Sequence, residues 1–214
     1  ATALLSLFLL SAPANAYEAI NGPLGLLSYD KAKAYDGYTL FTPHTKVSSW
    51  IVDTARNPGS KTTYLIDMEG NVVHTWKHDN AAFYAELLPN GNLLRAEKIA
   101  GSPVNFGGWY GLLREYTWDG KVVWETALES ATLSSPVAVY NEDGDAWLIQ
   151  AESNGKIHLM DATDGSILDT LTLTGGEGEE STLAIEGSPA VYGNLMIIGT
   201  TGKDAGGVYC IKIE

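Results

Sequence analysis

The chain has 214 residues, with 13 basic and 26 acidic side chains and a formal net charge of −13. Nucleic acid and anionic membrane surfaces both require basic patches on a protein, so neither is expected as a partner; an acidic surface mainly favours solubility. Cys210 is the only cysteine, which excludes an internal disulfide.

In chain order, residues 1–16 form an apolar run ending in Ala14-Asn15-Ala16, the small-x-small pattern of a signal peptidase site. The run is broken by Pro13 and is shorter than the roughly 20 apolar residues of a membrane span. It is read as a secretory leader that begins part-way through, with no membrane span. No lipobox cysteine follows, so the expected location is the periplasm or the cell exterior. Residues 17–61 form an N-terminal segment with one strand, Tyr38–Thr42, and a long loop. Within that loop Val47–Val52 could pair as a short strand.

Blades are expected over 62–214. Thr63–Asp67 and Val72–Trp76 flank Glu69-Gly70, and Phe83–Leu88 and Asn92–Ala96 flank Asn90-Gly91, the strongest short hairpin signal. Four such strands make one blade. The glycine-rich stretch 101–111 then reads as the connection to a second blade, built on Asp119-Gly120 and the turn Asn141–Asp145. A third is built on Asp164-Gly165 and Gly193-Asn194, with an acidic loop, Gly175–Glu180, inside it. The strand Gly207–Ile213 opens a fourth.

One hairpin phrase recurs as Asp67-Met-Glu-Gly-Asn-Val-Val-His-Thr-Trp76, Trp118-Asp-Gly-Lys-Val-Val-Trp124 and Asp161-Ala-Thr-Asp-Gly-Ser-Ile-Leu168. Its turn glycines lie about 45–50 residues apart, a spacing that marks a propeller. The expected fold is an all-β propeller of four-stranded antiparallel blades. About three and a half blades are present, against the roughly 4–8 with which propellers close. Such an unfinished ring would leave open blade edges through which copies could associate.

Residues 36–125 resemble the N-terminal half of the bacterial arylsulfotransferase family, through Tyr35–Pro43, Tyr64–Trp76, Leu87–Leu94 and Glu115–Trp124. Residues 134–214 resemble the repeats of quinoprotein-type (PQQ-like) propellers, through Ser134-Ser-Pro-Val-Ala-Val139, Gly187-Ser-Pro-Ala-Val191 and Gly155–Asp161 followed by Thr163-Asp-Gly165. The first resemblance implies sulfuryl transfer between phenolic compounds through a channel histidine, with small phenolic or sulfated molecules as partners. The second implies a tryptophan docked between blades at Trp124, where the third repeat departs with Asp169. The family's histidine motif is absent here: Leu88-Pro-Asn-Gly91 is preceded only by Lys77-His-Asp-Asn80. The catalytic blades would then lie beyond this chain, and the alternative is a non-catalytic binding or assembly module. One cysteine excludes the vicinal pair common in quinone enzymes, so no cofactor is expected.

Of the four histidines, His44 matches no catalytic motif. His74 and His158 lie within strands, where packing or hydrogen bonding is the expected role. His78 differs because it follows a strand beside Asp79, a neighbour able to tune an imidazole toward nucleophilic or general-base work. It is the weak catalytic candidate. Arg95 and Arg114 have the fork that suits a sulfuryl oxygen pair, although salt bridges to Glu86 or Glu115 are favoured. Asn141–Asp145 resembles the start of a calcium loop, but position twelve would be Glu152, beyond a strand, and a hairpin turn is the better account. Gly199–Asp204 lacks the order of a phosphate loop. Cys210 sits in an apolar run and is expected as a buried structural thiol.

Overall fold

The computed structural model describes residues 26, 28–43, 61–99, 110–141, 143–175, 183–202 and 206–213. The leader, His44, the strand expected at Val47–Val52 and most of the acidic loop lie outside these residues. The regular structure described is fourteen β-strands in four antiparallel sheets. The first sheet holds β1 (Thr39–Phe41), β2 (Thr62–Ile66) and β3 (Val72–Lys77). The second holds β4 (Ala82–Leu87), β5 (Leu93–Glu97), β6 (Tyr110–Tyr116) and β7 (Val122–Thr132). The third holds β8 (Val137–Tyr140), β9 (Ala146–Ala151), β10 (Lys156–Asp161) and β11 (Ile167–Thr172). The fourth holds β12 (Ala190–Tyr192), β13 (Leu195–Thr200) and β14 (Gly207–Lys212). Each strand pairs with its neighbour in sequence.

The strands are therefore grouped two strands out of phase with the sequence reading. The Gly70 hairpin closes the first sheet, and the Asn90-Gly91 hairpin opens the second. The expectation failed on loop length. The short link 78–81 changes sheets, whereas the long glycine-rich link after Glu97 stays within one. The strand at Thr39–Phe41 belongs to the same array, since it pairs with β2 through Thr39↔Ile66 and Phe41↔Tyr64.

The sheets stack face to face, because their central strands place apolar side chains on both sides. Leu65, Trp76, Leu93 and Tyr116 fill the joint between the first and second sheets. Leu94, Ala96, Leu113, Trp124, Leu148 and Met160 fill the next, and Ile149, Ile157, Met196 and Ile198 the last. Burial follows position within the sheet: β5 is buried throughout and β11 is exposed throughout. The leading strands approach one another, β1 to β4 and β8 to β12. Ser135 N–H also donates to Ser188 Oγ (2.9 Å), which links the two Ser-Pro openings. These are propeller-type blades. Among the described residues, no packing of comparable extent joins the first sheet to the last, so the array is open.

The recurring hairpin has a recurring irregularity. Pairing slips by one residue at Leu65/Ile66, at Glu115/Tyr116 and at Leu159/Met160. The slip leaves Val73, Val123 and Leu168 as extra residues on their strands, each a β-bulge. His74, Trp124 and Asp169 are consequently equivalent, opposite Leu65, Glu115 and Leu159. Simple alternation would face His74 and Trp76 with Val72. The bulge separates them: Val72 is 57% exposed and Trp76 2%.

Candidate functional site

In the first two sheets the residue after the bulge reaches the next sheet's turn. Trp124 Nε1 donates to Ala162 O (3.2 Å) and to Glu115 Oε2 (2.6 Å), with its ring over Gly165. Gly165 has φ +73°, and a Cβ there would stand 2.3 Å from the indole. Only glycine fits both demands. The tryptophan docking implied by the quinoprotein resemblance is thus present. In the first sheet the same position is His74, whose Nε2–H donates to Trp118 O (2.8 Å) while its ring stacks on Trp118 at 4.3 Å. Trp76 Nε1 donates to Thr117 O (3.3 Å) beside it.

The joint between the first two sheets also gathers three residues singled out from sequence: His78, Arg95 and Arg114. Arg95 and Arg114 are direct cross-strand partners on β5 and β6, and Leu93↔Tyr116 is the neighbouring pair. Two positive groups opposite each other repel. Glu97, two residues from Arg95 on the same face, lies between them. Arg95 Nη1 donates to Glu97 Oε1 (2.8 Å), and the Tyr116 hydroxyl donates to the same oxygen (2.7 Å). Arg114 Nη1 donates to Glu97 Oε2 (3.1 Å), and Arg114 Nε donates to Glu125 Oε2 (2.9 Å). Arg95 and Glu97 are both fully buried. Burial pulls the Arg95 guanidinium below its ordinary pKa, against the pull of Glu97. The Tyr116 phenol is pushed up to about 12, by burial first and then by Glu97.

The salt bridges expected for the arginines form, but with Glu97 and Glu125 rather than Glu86 or Glu115. The register explains this: Glu86 and Glu115 both pair with Leu94, on the other face of the sheet. There Glu115 accepts from Trp124 and from Asn92 Nδ2 (2.5 Å), while Glu86 accepts from the Tyr84 hydroxyl. Alternation from Arg95 to Glu97 was the sequence signal for the true partner.

His78 follows β3, and its N–H donates to Lys61 O (3.0 Å). Its ring stacks on Tyr116, centroids 3.7 Å apart. Its Nε2 is buried without a hydrogen-bond partner, as are Nε and Nη2 of Arg95. Its pKa is lowered to about 4, by burial first and then by Arg95 and Arg114. Asp79, expected to tune the ring, pulls upward and is outweighed. A neutral imidazole results, with Nε2 closed to solvent.

The third sheet holds a second polar chain, one that sequence reading missed apart from His158. His158 Nε2 meets Glu152 Oε1 (2.6 Å), and its Nδ1 meets Thr170 Oγ1 (2.9 Å). Both Glu152 oxygens also accept backbone N–H groups of β7, from Glu129 (3.2 Å) and Ser130 (2.7 Å). A hydroxyl, an imidazole and a carboxylate in series are chemistry-bearing groups, but here the carboxylate ties the second sheet to the third.

Asn141–Asp145 is a hairpin turn, as read. Asp145 N–H donates to Asn141 Oδ1 (2.7 Å), Asn141 Nδ2 donates to Asp145 Oδ2 (2.8 Å), and Gly144 has φ +90°. Cys210 corrects its expectation, because it is exposed. Alternation along β14 turns Tyr209 and Ile211 toward the third sheet and leaves Cys210, opposite Ile197, on the open face. Among the described residues, no helix is long and apolar enough to cross a membrane.

No protein-family description matches the chain, and no curated protein matches it. Similar solved structures include BamB from Moraxella catarrhalis, at 17% identity and a TM-score of 0.46, over 66% of this chain and 41% of that one. They also include a protein of unknown function from Bacteroides caccae, at 16% identity and a TM-score of 0.36, over 72% of this chain and 54% of that one. The chain thus spans 41% and 54% of the lengths of these two proteins. Its fold rests on its own sheets: an all-β, open array of propeller-type blades.

Proposed function

We propose that this chain works by contact rather than by catalysis, as an exported PQQ-like propeller module that binds or assembles with a partner. The observation that carries this reading is how the two kinds of side chain are used. Arg95 and Arg114 are committed to Glu97 and Glu125, His74 and His158 are hydrogen-bonded, and His78 Nε2 is closed off. Large apolar side chains, by contrast, stand in solvent, with Tyr192 89% and Val208 78% exposed. Exposed apolar surface of that kind marks interaction sites. Export is supported by the leader pattern that ends at Ala16.

A second reading, arylsulfotransferase-like sulfuryl transfer between phenols, is favoured by the grouping of His78 with Arg95 and Arg114. One assay separates the two. The full chain is given an aryl sulfate donor and a phenol acceptor, and transfer is followed by release of the donor phenol. No release above the uncatalysed rate is expected. Transfer that disappears in His78→Ala would overturn the contact reading.

A further inference from the structure

We infer that the rim of the second and third sheets, at the end that carries Gly120 and Gly165, docks a protein segment alternating lysine or arginine with aliphatic side chains. The inference rests on the contact reading above and names the chemistry of the partner. Strands run alternately up and down, so the turns at 88–92, 117–121, 141–145 and 161–166 share one end of these sheets. The links between sheets and the turn at Glu152–Lys156 lie at the other. Each sheet also has a forward side, turned toward the next sheet, and a rear side, turned toward the one before.

The Gly120 end has an apolar rim. An apolar pair with the bulge in it follows each turn, Val122-Val123 after Lys121 and Ile167-Leu168 after Ser166. All four side chains are exposed, as is Trp118 in the turn itself. This exposure does not come from an uncovered sheet face. The second sheet is packed on both sides, yet Val122 is 50% exposed. Ile167 pairs with Met160 on the rear side of the third sheet, where the second packs, and is still 44% exposed. The pairs are open because β7 and β11 are the trailing edge strands of their sheets, while the joints are filled chiefly from strands further in. Gly165 lies against Trp124, so the two pairs start from adjoining corners.

The same end is acidic. Asp119, Asp143, Asp145 and Asp164 stand in its turns as exposed carboxylates. Among the described residues of those turns the one base is Lys121, already paired with Asp119 (2.9 Å). Hydrogen bonds with Thr117 and Ser166 hold Asp119 and Asp164 below the ordinary carboxylate range, so both stay charged. At the opposite end Lys77, Lys98 and Lys156 offset Asp79 and Glu129. Exposed apolar groups ringed by one sign of charge fit a segment that is aliphatic and cationic together. A second copy of this end, nucleic acid or an anionic membrane would bring negative charge to negative charge.

The test uses the full chain and short dye-labelled peptides, with binding followed by fluorescence anisotropy at low salt. Peptides alternating lysine with valine, lysine with serine, and glutamate with valine are compared. The lysine–valine peptide is expected to bind in the micromolar range, and the other two at least about tenfold more weakly. Val122→Ser combined with Ile167→Ser should weaken its binding about tenfold, with the circular dichroism of the chain unchanged. Asp119→Asn combined with Asp164→Asn should do the same and flatten the salt dependence, since asparagine still accepts from Thr117 Oγ1 and Ser166 N–H. Lys77→Gln, at the other end, should change nothing. Equal binding of the lysine–serine or the glutamate–valine peptide overturns the inference, as does binding that survives either double variant. A chain that binds no peptide and transfers no sulfuryl group loses this docking face and keeps the contact reading; sulfuryl transfer removes the contact reading itself.

Discussion

Between its first and second sheets the chain buries Arg95, Glu97 and Tyr116 beside Leu65 and Leu93, with Arg114 and His78 at the edge. Between its third and fourth it buries Ile149, Ala151, Ile157, Leu173, Leu183, Ile185, Met196 and Ile198. The two joints serve the same purpose in the stack by opposite means. In the aliphatic joint each methylene removed from water contributes about 0.8 kcal/mol, and neighbours can shift to fill small changes. In the ionic joint, desolvating the charges costs several kcal/mol per ion, and that cost is offset only while every partner is in place. A stack can therefore be tolerant at one end and all-or-none at the other.

The largest effect expected is the one that breaks the ionic joint from inside. Glu97→Ala leaves Arg95 buried without its carboxylate and Tyr116 without its acceptor. It should cost about 3–5 kcal/mol, read from the midpoint of urea unfolding. The aliphatic joint should fail by degrees: Ile198→Ala by about 3 kcal/mol and Ile198→Val by about 1. Equal losses for Glu97→Ala and Ile198→Val would erase the contrast between the two ends.

Removing both charges sharpens the comparison. Arg95→Met combined with Glu97→Gln keeps an acceptor for the Tyr116 hydroxyl and leaves no buried ion. It should lie within about 1–2 kcal/mol of wild type, less damaging than Glu97→Ala alone. A double variant as unstable as the single one would mean that packing, not charge, holds this joint.

A pH dependence is also expected from the first joint. The imidazole of His78 is held at about 4, below its ordinary value, so the unfolded chain takes up the proton first. The stability this provides is complete above about pH 6.5 and is lost as the pH falls from there through 4. His78→Phe should flatten that part of the stability profile, and a nuclear magnetic resonance titration should find the ring half-protonated near 4. A midpoint near 6.5 would show the ring to be solvated.

Much of the scaffold was legible in the amino-acid order, because turn chemistry is local. Gly70, Gly120 and Gly165 mark hairpins whatever lies around them, and all three have positive φ. What escaped depends on pairs far apart in sequence. Which hairpins share a sheet is decided by pairing across the Glu97–Tyr110 link, and loop length pointed the other way. The partners of Arg95 and Arg114 followed from which face each glutamate occupies, a question of register that composition does not answer. Cys210 was placed by hydrophobicity, yet its neighbours Tyr209 and Ile211 take the inner side and parity leaves it outside. Trp124 was readable because its position is counted from a turn.

That counting gives the repeated bulge its consequence. One supernumerary residue per hairpin, at Val73, Val123 and Leu168, sets how far from the turn the forward-facing position falls, and in the first two sheets that position reaches the neighbour's turn. Excising Val123 would leave a regular ladder, with Trp124 still opposite Glu115 and Val122 opposite Tyr116, so that the indole keeps its face and the strand loses the local bend and twist of the bulge. Hairpins exchanged whole, with their extra residue, would keep their aim. The blade is thus a cassette with its own indexing, which a duplication or a graft can carry to a new place without readjusting its neighbours.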